Sequence, residues 1–258
     1  MPGKSIRISR LSMTALGAAL RVSLWNPGFF CGVLLLTAVF LAAGEPYAEY
    51  LIESGGSMEG AAWIAVFAYS VSSEQSLMFL LLVVPLAASA EVQDEIKSRY
   101  ALFLAGRSGK KNYLADRIIG TACAGGFMSV LAMSALLLAG AVRCAGIPDL
   151  SAAGEGISAW SLIPDFLCGF LNGALWSLIG SAAAVIARSR YLAYAVPFVL
   201  SYVLNVFQER YYPELFFLSP KQWAFPSYYS AGTCIGILLF LGLAVSAVLG
   251  RLMERRVS

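Results

Sequence analysis

Residues 91–141 read EVQDEIKSRYALFLAGRSGKKNYLADRIIGTACAGGFMSVLAMSALLLAGA. The second half, Ile118 to Ala141, carries no Asp, Glu, Lys or Arg and is long enough to cross a bilayer as one helix. The first half, Glu91 to Arg117, is the most charged stretch of the chain. So abrupt a change marks a membrane surface, with a span beginning where the charges stop.

The same alternation extends in both directions. Toward the N-terminus, Ser73 to Ala90 reads as a span with Pro85 as a kink, and Pro27 to Ala43 as the span before it. Between them lies a polar segment with Glu45, Glu49, Glu53 and Glu59. Its second part, Ala61 to Val71, is apolar but too short to cross, and reads as an interfacial or folded-back piece. Toward the C-terminus the spans are Asp165 to Ala187, Tyr191 to Phe207 with Pro197, and Thr233 to Gly250. The expectation is an all-α polytopic membrane protein, residues 1–258 forming a single transmembrane domain of six helices. Hydrophobic residues at 59% and charged ones at 13% agree, since a soluble chain needs more polar surface.

Residues 1–26 do not read as a simple cleaved signal, because Arg21 and Asn26-Pro27 interrupt their apolar stretch. Arg7, Arg10 and Arg21 fall on one helical stripe beside Ile8, Leu11, Ala15, Ala18 and Val22, as in an amphipathic interfacial helix. Asn26 suits a cap and Pro27 the first turn of span one.

Orientation follows from lysine and arginine. Four lie before span one, six between spans two and three, two in the turn Arg188-Ser-Arg190 and three at the C-terminus, fifteen of the eighteen in all. Only Arg143, Arg210 and Lys221 remain for the other side. The positive-inside rule then puts both termini in the cytoplasm of a bacterial cell.

Several chemistries are excluded. Without histidine there is no histidine-based triad and no His-ligated metal. The five cysteines, at 31, 123, 144, 168 and 234, show no paired spacing. Gly106-Arg-Ser-Gly-Lys-Lys111 has the wrong spacing for a phosphate-binding loop, so the chain is not expected to hydrolyse ATP. No ionisable residue falls near the centre of a span, which counts against a proton or sodium relay and against an intramembrane carboxylate enzyme.

In Glu91 to Arg117, Ile96, Tyr100, Phe103 and Leu104 recur at helical spacing, so 92–105 is expected to form one short amphipathic helix. Arg107, Lys110, Lys111, Tyr113, Leu114 and Arg117 follow it. Together with the basic N-terminal helix, Glu91 at the close of span two, Arg107-Ser108, the Tyr-Leu-x-x-Arg run at 113–117 and the aromatic hairpin Gln208 to Ser230, this arrangement resembles the permease subunit of a type-2 ABC exporter. As an arrangement the resemblance covers the whole chain; at residue level it is confined to 91–117. The long segment between spans one and two departs from it.

The resemblance implies that the segment 91–117 couples to a separate ABC ATPase, present in two copies, through Glu91, Glu95, Ile96, Arg99, Tyr100, Phe103 and Arg107. It implies that 1–26 is a connecting helix, that 208–230 is a pair of re-entrant helices, and that a second permease, identical or homologous, completes a dimer. No cofactor is expected on this chain; ATP and Mg belong to the ATPase. Membrane lipid is a partner and nucleic acid is not. The alternative is a stand-alone channel, sensor or immunity protein, for which 91–117 is only a lipid-facing loop.

Asn172 and Asn205 are polar groups at membrane depth, either hydrogen-bonding between helices or lining a translocation path. The ridges Gly169, Gly173, Ser177, Ser181 and Gly232, Gly236, Gly242, Ser246, Gly250 suit close helix approach, within the subunit or across a dimer. Trp160, Trp223 and Tyr211, Tyr212, Tyr228 and Tyr229 read as an aromatic belt. The carboxylates at 45, 49, 53 and 59 keep their segment solvated or attract a cationic substrate.

Overall fold

The computed structural model describes residues 17, 19–53, 62–144, 162–224 and 230–256, and every regular element among them is helical. Arg7, Arg10, Glu59, Trp160, Tyr228 and Tyr229, and with them most of the N-terminal amphipathic stripe, lie outside the described residues. The elements are α1 (Pro27–Glu53), α2 (Ala62–Ser72), α3 (Glu74–Val83), a 3-10 turn (Val84–Leu86), α4 (Glu91–Lys97), α5 (Tyr100–Ser108), α6 (Lys110–Cys144), α7 (Ile163–Ala187), α8 (Arg190–Tyr211), a 3-10 turn (Phe216–Leu218), α9 (Pro220–Ala224) and α10 (Ala231–Arg256). Six segments are long and apolar enough to cross a membrane: α1, the stretch Glu74–Lys97, α6, α7, α8 and α10. The chain is a multi-pass helical membrane protein.

Helix α7 is the hub, packed against α6, α8 and α10, while α1 packs against α2, α3 and α6. In the most apolar window of α7, 61% of residues are buried, against 17% in α10, so α10 presents most of its surface outward. The reason lies in the α7 ridge. A Cβ on Gly173 would stand 2.3 Å from Ser129 Oγ and 2.5 Å from the Gly125 carbonyl oxygen of α6, so only glycine permits this approach. Ser89 Oγ donates to the Ser177 carbonyl at 2.8 Å on the same ridge. The α7 ridge therefore packs within the chain. Gly236 and Gly242 of α10, by contrast, have open space where a Cβ would stand.

Several boundaries differ from the sequence reading. Span one does not stop at Ala43: α1 continues through Pro46 to Glu53. It is held by α2, with Tyr47 stacked on Tyr69 at 4.7 Å and Ala48 and Leu51 packed against Val66. Helix α6 begins at Lys110 rather than Ile118 and runs 35 residues. At 1.5 Å per residue that is about 52 Å, well beyond a hydrocarbon core of about 30 Å. Pro85 does break the second span, in the 3-10 turn Val84–Leu86. The single helix expected over 92–105 is two helices, because Arg99 turns left-handed at φ 60° between α4 and α5. Trp223 is no belt residue: it is buried against Trp176, with its indole nitrogen donating to the Phe217 carbonyl at 2.8 Å.

Candidate functional site

Two places gather the residues that carry chemistry. The first is the elbow formed by α4, α5 and the start of α6, at the end of the bundle where Val92, Ala101 and Tyr113 pack against Val185, Leu249 and Met253. Glu91 and Glu95 are four apart on α4, and Tyr113 and Arg117 are four apart on α6, so each helix offers one pair on one face. The pairs interlock. Arg117 Nη2 lies 2.8 Å from Glu91 Oε2 and 3.1 Å from Glu95 Oε1. Tyr113 donates its hydroxyl to Glu95 Oε2 at 2.8 Å.

The cluster reaches the N-terminal segment, helical over 19–24. Arg117 Nη1 donates to Ser23 Oγ at 3.4 Å, and Asn26 Nδ2 donates to Glu91 Oε1. The Asn26 carbonyl oxygen Oδ1 accepts from the Gly28 amide at 3.0 Å, the cap expected for α1. One guanidinium thus serves two carboxylates in a largely buried place, while Arg117 Nε has no partner.

The seven residues expected to couple to an ATPase divide accordingly. Glu91, Glu95 and Ile96 face inward, Ile96 against the apolar cluster beneath the elbow. Arg99, Tyr100, Phe103 and Arg107 face outward. Tyr100 and Phe103 are 51% and 63% exposed, their rings stacked at 6.1 Å. The sequence reading did not include Tyr113, Arg117, Asn26 and Ser23 among these site residues, although the four-residue spacing of Tyr113 and Arg117 was the available signal.

The second place is a cavity of about 50 Å³ between α3, α7, α8 and α9. Both asparagines singled out from the sequence line it. Asn205 Oδ1 accepts from Ser219 Oγ at 3.2 Å, tying α8 to the segment before α9. Asn172 is 2% exposed and its Oδ1 has no partner. Trp176, Phe198 and Tyr202 contribute aromatic walls. Lys221 lies at the solvent side, 3.1 Å from Glu74 and 3.3 Å from Glu209. Burial works against its ammonium, but the two carboxylates outweigh that and hold its pKa above the ordinary lysine value. At about 15 Å³ per water, the cavity holds roughly three waters or a small polar head group, not a drug-sized molecule.

Of the carboxylates in the last turns of α1, Glu45 pairs with Arg143 of α6, and Glu49 and Glu53 are exposed. Cys234 Sγ lies 3.4 Å from the Trp223 carbonyl, fastening α9 to α10. These features define a class, the multi-pass α-helical membrane proteins, with a charged elbow at one end and a small, mostly apolar cavity toward the other. No protein-family model matches the chain, and no curated protein matches it.

Proposed function

We propose that this chain is the membrane-spanning permease subunit of an ATP-driven exporter of the type-2 ABC class, working as a dimer beside two copies of a soluble ATPase. In this reading it lies in a bacterial cytoplasmic membrane with both termini inside, where fifteen of its eighteen lysines and arginines would then lie. The N-terminal segment serves as the connecting helix, and 208–230 re-enters the outer leaflet. The observation that carries the reading is the elbow. An exposed aromatic pair, Tyr100 and Phe103, stands on a short helix beside α4, and α4 is pinned to α6 through Arg117. A surface of that kind suits a groove on a partner, since exposed aromatics flanked by charge are the anchors of protein interfaces.

Closure of the ATPase dimer on ATP would push on α5. The Arg117 cluster would pass that displacement to α6 and to the N-terminal segment as a rigid unit, shifting the bundle between two arrangements. The experiment is a pull-down of the tagged full-length protein in mild detergent from its native cells, with mass spectrometry of what accompanies it. A stoichiometric ATPase supports the exporter. Its absence, even after gentle cross-linking, overturns that reading in favour of a stand-alone channel, sensor or immunity protein.

A further inference from the structure

We propose that Cys168 of α7 and Cys234 of α10 are joined in the membrane by a disulfide that fastens one helix to the other. The two residues are far apart in the chain, and the fold brings them together. Both are wholly buried, both belong to the main apolar core, and their thiols hydrogen-bond to each other. In this structure both are thiols. The Cys234 sulfur also lies 3.4 Å from the Trp223 carbonyl oxygen and 3.7 Å from that of Gln222. Oxidation forgoes only such S–H contacts, which are weak.

Their place in the fold decides the chemistry. Both lie in the first two turns of helices that begin at Ile163 and Ala231, within about 8 Å of those ends along the axes. Farther along the same helices, Val185, Leu249 and Met253 pack beneath the elbow, so the cysteines stand toward the opposite membrane face. The inference rests on the orientation proposed above, in which that face is the outer one, and not on an ATPase. Disulfides form and persist on that side and rarely in the cytoplasm. The oxidant is the disulfide of an extracytoplasmic thiol oxidoreductase. One cysteine loses its proton and attacks a sulfur of that disulfide, expelling the other sulfur as a thiolate. The second cysteine, deprotonated in turn, displaces the oxidant from the mixed disulfide. Two electrons and two protons leave the pair, and the oxidant departs as a dithiol. Both cysteines are closed off once α10 is seated, so the exchange precedes its final docking. Helix α10 is the least buried of the six membrane-length segments, and a covalent tie offsets the small area it packs.

The test uses the full-length protein in its native cells, quenched in trichloroacetic acid to stop thiol exchange and then alkylated with N-ethylmaleimide under denaturing conditions. Chymotrypsin, which separates Cys168 from Cys144, is followed by mass spectrometry without reductant. The expected result is a Cys168 peptide bonded to a Cys234 peptide in most of the protein, and the loss of that species after reduction. Cys168→Ala should leave Cys234 fully alkylated. In purified protein, complete reduction should lower the unfolding midpoint of the wild type by several degrees and leave that of Cys168→Ala unchanged.

Recovery of both cysteines as alkylated thiols overturns the proposal, as does a bond from either one to a different cysteine. These readings need only the wild type, so they hold even if the variant fails to fold. A midpoint that stays put after complete reduction overturns the fastening of α10. A fluorescent protein fused to the C-terminus, which matures in the cytoplasm, separates this failure from failure of the orientation. Free thiols in fluorescent cells overturn the disulfide alone, and free thiols in dark cells overturn the orientation with it.

Discussion

Arg117 of α6 and Glu91 of α4 meet at 2.8 Å across 26 residues of chain, the guanidinium side chain only 5% exposed and the carboxylate 25%. A buried pair of this kind matters most when half of it is removed, because the remaining charge is left without compensation. Arg117→Met should therefore destabilise the protein by about 3 kcal/mol, the low end for buried pairs because Glu91 keeps some water. Lysine should not restore it, since one ammonium lacks the fork that reaches both carboxylates and Ser23. Adding Glu91→Gln to Arg117→Met should recover part of the loss. Thermal unfolding of wild type, Arg117→Met, Arg117→Lys, Glu91→Gln and the double variant in one detergent checks this, and additive losses in the double variant would show that the two residues are not coupled.

The contact between Gly125 and Gly173 sets how closely α6 and α7 approach. A Cβ at Gly173 meets the Gly125 carbonyl at 2.5 Å, and backbone yields less readily than a side chain. Gly173→Ala is expected to cost about 1–3 kcal/mol by overpacking, despite the better helix propensity of alanine. On α10, Gly236 has nothing within 4 Å of such a Cβ, so Gly236→Ala should leave the unfolding midpoint unchanged or raise it. Equal loss in both variants in the isolated subunit would contradict this assignment of the ridges.

The six membrane-length helices were legible because lipid offers the backbone no hydrogen-bond partner, so each span must announce itself as a long uncharged run. The break at Pro85 was legible because proline lacks the N–H a helix needs there. The continuation of α1 past Ala43 was not: Glu45-Pro46 has the composition of a loop, and what keeps it helical is Tyr69 and Val66 of α2 and Arg143 of α6, all remote in sequence. Nor was the break at Arg99, where neither glycine nor proline marks the turn. Asn172 and Asn205 stood out singly as polar groups at depth. Their common cavity exists only once α7 and α8 pack, and the partners of Arg117 appear only once the elbow has bent.

Arg99 holds that elbow in the left-handed region at φ 60°, which costs an L side chain roughly 1–2 kcal/mol relative to glycine. Arg99→Gly should then stabilise the protein by about 0.5–1 kcal/mol, the lower end because glycine also gains freedom in the unfolded chain. Arg99→Ile should destabilise it, since a β-branched residue is least tolerant of positive φ. Unfolding midpoints of the two variants against wild type decide it. A loss in Arg99→Gly would mean that the guanidinium makes a contact worth more than the strain it relieves.

Tyr100 and Phe103 provide the sharpest separation between stability and proposed function. Both are more than half exposed, and their rings stack on each other. Replacing both with Asp should change the unfolding midpoint by no more than about 0.5 kcal/mol equivalent, the usual range for surface positions. Insertion and expression should be unaffected. If α5 is the coupling element, the same double variant should abolish capture of the ATPase and transport together, because two buried aromatic anchors are lost and two charges enter their groove. Ile96→Asp is the converse control. Its side chain packs into the cluster with Val92 and Leu249, so it should lower stability whether or not a partner exists. A double variant that still holds the ATPase and transports at the wild-type rate would remove α5 from the coupling path while leaving the cavity at Asn172 untouched.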